Sequence, residues 1–455
     1  MYDSIVIGGG ISGLACAHRL VKSGEKIALL EPERLGGVIR SVKKDGFTLE
    51  QGPNVLLGKE ALVDFINEIG VQDKIAYPAF KRLKQYVWYQ GRPTQIPMSP
   101  PALITTPILS PLSKLQVAYK IVSCYKAKLT ANDISVADFF TKLLNGEVVK
   151  NIVSPALGGI YGGDVTALSA RSIFPRFWSG IREHGSLLNF LRKSTKKKVR
   201  PKTITFFGGL STLVEAVQAR LESHCDMIEE KATAISKQNG SFQVTLSNGK
   251  TVEAEKLFLA TSGPATAQYI ENLSGSLSRS LAALKFAPLV VVHVAVPRDT
   301  ELPDNAFGVL FPDQANSKLI GVMFNSLMFP HTAPPDRHLF TVCLGGTKHR
   351  DIYEKPESEI LKIVEQELLE KFKVHDPQVL EFCTWERAIP QYEVGHYKLV
   401  EEIRAVEHDY PGLCFCGVDL GGVGISDRVQ MGYGALDQVS VNREPVQSTA
   451  VAQNV

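Results

Sequence analysis

The chain opens on residues that leave little choice of fold. Residues 4–20 read SIVIGGGISGLACAHRL. A short run of apolar β-formers meets three glycines, and the glycines meet a helical pattern. The spacing predicts a buried strand over 2–7, a helix over 12–23 and a second strand ending at Glu31. Strand, tight turn, helix and strand make a βαβ unit of ordinary size. Within it the motif Gly8-x-Gly10-x-x-Gly13 gives each glycine a task. Gly8 permits the tight turn, Gly10 lets the backbone approach a pyrophosphate, and Gly13 lets helix and strand pack closely. The helix N-terminus attracts the negative charge. Glu31 stands where a carboxylate accepts hydrogen bonds from an adenosine ribose, and its charge disfavours a 2′-phosphate. Together these elements point to a dinucleotide-binding fold.

The next residues separate the dinucleotides. ERLGGVIRS carries Gly36, Gly37 and Arg40, and DGFTLEQGPNVL carries Gly52 and Pro53. Paired glycines free backbone amides for close approach to a cofactor. Simple nicotinamide dehydrogenases lack this extension, which resembles that of amine-oxidase-like flavoproteins. Near the C-terminus, PGLCFCGVDLGGVGISDRVQMGYGALDQV reads as strand, glycine-rich loop and helix. Residues 417–419 would close over the cofactor. Val423, Gly424 and Ile425 would bring a second helix N-terminus to the flavin ring, where its dipole favours negative charge. FAD is the expected cofactor. No second GxGxxG follows a strand and no CxxC pair occurs. Neither a bound nicotinamide donor nor a disulfide relay is expected, so an organic substrate supplies the electrons.

At 455 residues, with 44% hydrophobic and 21% charged, the chain has an ordinary globular composition. A net charge of +3 and the lack of a long basic arm argue against nucleic acid as a partner. The seven cysteines are scattered, which suggests buried thiols in a reducing compartment and no metal site. Cys414 and Cys416 would share one face of a strand. No apolar run of ~20 residues predicts a transmembrane helix, and the N-terminus has no signal or transit pattern. A cytoplasmic location is expected. The oligomeric state, monomer or homodimer, is not legible.

The likeness to amine-oxidase-like flavoproteins implies an α/β fold with interleaved domains: a Rossmann-like FAD-binding domain, a mixed-sheet substrate domain and a helical insertion. Residues 1–85, 201–285 and 411–441 would form the FAD-binding domain. Residues 86–97 would supply the first strand of the substrate domain and 286–410 its sheet and helix. Residues 98–200 would be the helical insertion, and the polar residues 442–455 a disordered tail. The stretch PTQIPMSPPALITTPILSPLSKLQ is dense in proline, which excludes a continuous helix and suggests a mobile or surface-lying loop. Helices follow over 112–129 and 136–144. The charge run over 192–202 reads as a solvated loop. Asn248-Gly249 joins two alternating strands as a hairpin. Strands are expected over 290–296, 340–344 and 413–418, and helices over 61–69, 358–372 and 429–439.

From residue 2 to about residue 439 the sequence resembles the FAD-dependent, oxygen-using protoporphyrinogen oxidases of the amine oxidase superfamily. Three segments carry the resemblance. SPALGGIYGGDVTALSARSIFPRFW (154–178) has the family's glycine-rich turn, Gly-Asp, Leu-Ser and aromatic-ended helix. FFGGLSTLVEAV (206–217) has its Gly-Gly-Leu-x-Thr-Leu turn, and WERAIPQYEVGH (385–396) its Ile-Pro-Gln-Tyr-x-x-Gly-His stretch.

The resemblance implies oxidation of protoporphyrinogen IX to protoporphyrin IX late in haem synthesis. Six electrons would leave in three two-electron steps, with oxygen as acceptor and hydrogen peroxide as product. Alternatives are coproporphyrinogen III oxidation, another flavin oxidase acting on amines or polyenes, and a non-catalytic escort protein of the GDI type. The implied FAD contacts are Gly8, Gly9, Gly10, Ile11, Ser12, Gly13, Glu31, Gly37, Val38, Gly52, Pro53, Asn54, Val55, Ala232, Trp385, Val423, Gly424 and Ile425. Ala232 replaces the family's usual valine, at a position that contacts FAD through its backbone. No catalytic side chain is assigned, because a methylene between two pyrroles loses hydride without a strong base. Arg92, Arg176 and Arg182 are candidates for pairing the substrate's propionates, since arginine pairs bidentately with carboxylates. Tyr392 and Trp385 would line the cavity or pack at a domain interface. PMSPPALI lacks the arginine that some family members carry in that loop. Residues 97–129 resemble the family's membrane-binding segment and suggest peripheral membrane contact, or else a helical lid.

Overall fold

The computed structural model describes residues 1–123, 129, 131–193, 201–417 and 420–441. The expected charge run and tail, together with Cys124, Val418 and Asp419, fall wholly or mostly outside them. The opening strand Tyr2–Ile7 pairs in parallel with Ile27–Leu30 and with Thr251–Leu259; Cys225–Ile228 and Leu413–Phe415 extend the parallel sheet on either side. Parallel strands covered on both faces are apolar throughout. Here Val6, Leu29 and Cys414 enter one core, and Ile5, Leu30 and Phe415 the other. Cys414 and Cys416 do share a face, beside Cys16 of the first helix, Ile11–Lys22. Desolvation pushes the Cys16 and Cys414 thiols well above their usual range.

The hairpin at Asn248-Gly249 forms as expected, pairing Ser241–Leu246 with Thr251–Leu259 and placing Gly249 at φ 80. Its second strand is long enough to pair with the hairpin at one end and with Leu413–Phe415 at the other.

The second sheet runs, from one edge, Gln378–Pro390, Phe286–Pro297, Arg337–Gly345, Leu319–Phe324, Ala306–Leu310, Lys84–Tyr89 and Arg92–Gln95. One face is apolar. Val290, Val292, Val294, Phe340, Val342 and Leu344 pack on the helix Glu357–Phe372 through Ile360, Val364 and Leu368. The other face carries Leu289, Val291 and His293, opposite Trp385, Cys383 and Glu381 on one neighbour. Thr341 and Cys343 continue it on the other neighbour. This face turns toward the dinucleotide fold.

Three segments differ from expectation. The glycine-rich stretch after Ser154 is a helix, Ser154–Tyr161, that ends at Gly162 with φ 57. Gly159 lies inside it because a Cβ there would meet Leu310 Cδ2 at 2.5 Å; the glycine serves helix–strand approach rather than a turn. The proline-dense stretch forms two helices, Pro100–Thr105 and Pro111–Val122. Each has proline in its first turn, where no hydrogen bond is lost, and a serine cap, Ser99 or Ser110. Finally, residues 396–409, expected in the substrate domain, form the helix His396–Asp409, which packs Ile403 and Val406 into the core of the parallel sheet. Glu407 anchors it there, accepting from the Phe415 backbone N–H at 2.7 Å.

Candidate functional site

The glycine turn is built from inside out. Gly8 takes φ 108 and donates its N–H to Leu30 O at 2.9 Å. A Cβ on Gly13 would fall 1.9 Å from Gly8 O, so the first helix crosses the turn in contact. The Gly9 N–H donates to Glu31 Oε2 at 2.7 Å, and Glu31 Oε1 accepts from Glu33 at 3.1 Å. Glu31 therefore holds the turn directly. Gly10 is different: a Cβ there would meet nothing within 4 Å. It caps the first helix without a side-chain acceptor, and no acidic residue occupies that helix's first turn. Open space above uncapped, uncompensated N–H donors fits a pyrophosphate.

Two other expected segments converge on this turn. Gly36 bridges to Gly10 and donates to Gly9 O at 2.8 Å, and Gly37 lies 3.4 Å from Gly10 Cα, measured from the Cβ it lacks. Val38, 43% exposed, follows. A Cβ on Gly52 would fall 1.9 Å from Val38 O, which seats the 52–55 turn against the same ridge. The C-terminal helix Ile425–Val441 crosses the first helix where Gly432 replaces any side chain; a Cβ there would fall 2.0 Å from Ser12 O. Its N-terminus is tied to the rest by Ser426, whose hydroxyl donates to Leu57 O, and by the 2.5 Å Lys59–Asp427 ion pair. These contacts bring residues 10–12, 36–38 and Gly52 together and lay the last helix along the first.

The chain matches the model of the flavin containing amine oxidoreductases over residues 11–427. The protein belongs to this family. Its cofactor is FAD, and it is an oxidoreductase. The mitochondrial protoporphyrinogen oxidase of Nicotiana tabacum is 29% identical over 95% of this chain and 94% of its own length. The coproporphyrinogen III oxidase of Bacillus subtilis (strain 168) is 27% identical over 95% and 96%. In fold, the cyclohexylamine oxidase of Brevibacterium oxydans IH-35A superposes with a TM-score of 0.71 at 15% identity, over 97% of this chain and 99% of that one.

In this flavoprotein the remaining expected residues are spread out. Ala232 is buried beside a bulge that starts the strand Ala232–Gln238. Trp385 donates its Nε1–H to Gln51 O at 2.8 Å, next to the 52–55 turn. Tyr392 is fully buried in the insertion's core, with its ring 6.2 Å from Tyr161 and 4.6 Å from His396. That is a packing position within this core. Arg92, Arg176 and Arg182 are all exposed. Arg92 is on an edge strand; the other two share the helix Pro175–His184, where Arg182 covers Trp178 at 5.9 Å.

Several residues at the site were not singled out from sequence. Arg428 is buried and donates to Gly417 O at 2.6 Å and to Gly421 O, holding the loop before the last helix. A cation in the first turn of a helix opposes the dipole, and that was the available signal. Glu50 accepts from the Leu210 N–H at 2.8 Å and from Ser41 Oγ at 2.7 Å. Its burial pushes its pKa up to about 7. Glu50 thereby ties the 52–55 turn to the Gly-Gly-Leu turn at 208–210.

Proposed function

We propose that this flavoprotein oxidises protoporphyrinogen IX to protoporphyrin IX, with three molecules of oxygen reduced to three of hydrogen peroxide per substrate. The likeness to the tobacco relative along nearly the full length of both chains carries this reading. Bound FAD supplies a two-electron acceptor for hydride from carbon. The chain's own work is to hold the macrocycle and keep water away. The buried titratable groups nearest the 52–55 turn, His293 and Glu50, are both engaged in structural hydrogen bonds. That suits a reaction whose substrate cation is stabilised by its own pyrroles and needs no strong base. The sheet face bearing Trp385 and the partly open Cys383 is the proposed wall against the substrate. Arg182 and Arg176 remain the candidates for the propionates. Coproporphyrinogen III is the second reading, favoured by the Bacillus relative.

The test is turnover in air by the purified holoprotein. Enzyme-dependent porphyrin fluorescence above the autoxidation control is expected, with three peroxides per porphyrin and faster turnover of protoporphyrinogen IX. Faster turnover of coproporphyrinogen III supports the second reading. Turnover of neither contradicts both and favours an amine or polyene substrate.

We further propose that the protein attaches peripherally to the cytoplasmic face of a membrane. Leu112, Leu115, Tyr119 and Val122 form a stripe on the outside of the helix Pro111–Val122, each 65–77% exposed, with Met98 and Ile104 nearby at 73%. Residues 98–122 include Lys114 and Lys120 and no acid. Among the described residues, no helix is long and apolar enough to cross a bilayer. An exposed apolar stripe with Lys114 beside it suits insertion into an anionic lipid surface, while Lys120 is held by the Thr141 and Lys142 carbonyls at 3.0 Å. The holoprotein is expected to sediment with phosphatidylglycerol vesicles, and the Leu115→Asp, Tyr119→Asp double variant to remain in solution with unchanged turnover in detergent. Equal sedimentation of both would contradict this face as the attachment site.

A further inference from the structure

The substrate sheet carries a polar line on the face that turns toward the cofactor domain. Glu381, His293 and Thr341 stand directly opposite one another on three neighbouring strands, so their side chains share that face. Residues 47–54 run across it. Phe47 and Leu49 pack on Ala295, Leu339 and Leu380. The chain then turns at Gly52, and several polar groups of the turn meet the line. His293 Nε2 lies 3.0 Å from Glu50 O. Gln51 Nε2 donates to Glu381 Oε1 at 2.6 Å, and Trp385 donates to Gln51 O at 2.8 Å. Thr341 Oγ1 lies 3.0 Å from Asn54 Oδ1 and 2.7 Å from the Asn325 amide.

Counting hydrogens sets the state of the histidine. A carbonyl only accepts, so Nε2 bears the hydrogen. The other nitrogen, Nδ1, lies 3.0 Å from Thr341 Oγ1. The ring has no exposed surface and no carboxylate within hydrogen-bonding reach among the described residues, which favours its neutral form. Nδ1 then accepts the single Thr341 hydrogen. Asn54 Oδ1 takes its hydrogen from Asn325 Nδ2, which donates to it at 2.8 Å. The Glu50 and Gln51 carbonyls, buried at the end of their strand, thus obtain donors from side chains of the opposite domain.

We propose that His293 and Thr341 are positioning residues that clamp the 50–54 turn to the substrate sheet and so set where the flavin stands relative to the substrate face. The turn is fastened to the cofactor domain at the same time, by Gly52 against Val38 and by Glu50 on Leu210. Movement of the sheet therefore moves the flavin side of the site with it. The inference rests on the placement of FAD against residues 52–55 and is independent of which substrate is oxidised.

The test uses the FAD-loaded protein with Thr341→Val, Thr341→Ser and, as a second route to the same turn, Trp385→Phe. In the wild type, FAD is expected to slow hydrogen exchange at 50–55. Losing one buried donor is expected to weaken FAD binding by about tenfold in Thr341→Val and Trp385→Phe. It should also shift the flavin absorption envelope and reduce protection at 50–55. Thr341→Ser, which keeps the hydroxyl, should stay within about twofold of wild type. The proposal is overturned if Thr341→Val and Trp385→Phe bind FAD as the wild type does with unchanged protection. It is also overturned if the serine and valine variants are equally impaired, which would leave only a packing role. No protection at 50–55 by FAD in the wild type would instead refute the placement on which it rests.

Discussion

Gly10→Val is expected to fold and to purify without FAD. At φ −68, Gly10 has a backbone conformation open to any residue, and a Cβ there meets no protein atom within 4 Å. The fold has no need of glycine at this position; the ligand does. A branched side chain would fill the space above the N–H groups of the first helix and hold phosphate oxygens out of reach. Losing two charge-assisted hydrogen bonds lowers affinity on the order of 100-fold or more. Gly13→Ala should also lose FAD, for another reason. Its Cβ would fall 1.9 Å from Gly8 O, so the helix must leave the turn and the parallel sheet loses its cover. Circular dichroism and thermal unfolding separate the two: native-like for Gly10→Val, markedly destabilised for Gly13→Ala. A Gly10→Val protein that retains its yellow colour would contradict the phosphate cradle.

Two buried groups are expected to give the stability opposite pH dependences, and removing one should reveal the other. Burial lowers the His293 pKa from 6.5 to about 4. Its contribution is complete above the unfolded value and is lost as pH falls through the folded one. Burial raises the Glu50 pKa from 4.5 to about 7. Its contribution is complete below the unfolded value and is lost as pH rises through the folded one. Each window spans about 3 kcal/mol, and between pH ~4.5 and ~6.5 the slopes oppose. Glu381 also stands beside His293 on the neighbouring strand, but its carboxylate is engaged by Gln51. Glu50→Gln should therefore unfold at a higher temperature than the wild type at pH ~8, with the gain vanishing near pH ~4.5. The variant's stability should fall with acid across a range where the wild type is nearly level. A gain independent of pH would mean that Glu50 is not held near neutrality by burial.

What was legible in the sequence was local. The GxGxxG turn, the Asn248-Gly249 hairpin and the shared face of Cys414 and Cys416 all follow from chemistry within a few residues of one chain segment. The helix at Ser154–Tyr161 was not legible, because Gly158 and Gly159 signal a turn unless the neighbouring strand is known. Leu310 supplies the reason for Gly159, and it lies 151 residues away, counting from 159 to 310. Tyr392 has the composition of a cavity wall and the surroundings of a core. The arginines were chosen by type, and type does not reveal that Arg92 and Arg182 stand on different domains. His293 is a hydrogen-bonded core histidine. Its partners could not be named, because Glu50, Thr341 and Glu381 meet it only through sheet register and the crossing of residues 47–54. Sites made by register between distant strands leave no spacing pattern in the chain.

The most direct test of porphyrinogen oxidation is the half-reaction without oxygen. The purified yellow holoprotein would be mixed anaerobically with protoporphyrinogen IX while flavin absorbance and porphyrin fluorescence are followed together. Bleaching of the flavin band is expected with the onset of substrate oxidation, and readmitted air should restore the yellow colour and release peroxide. A flavin that stays oxidised with protoporphyrinogen IX and with coproporphyrinogen III, yet bleaches with an amine or a polyene, would contradict the assignment.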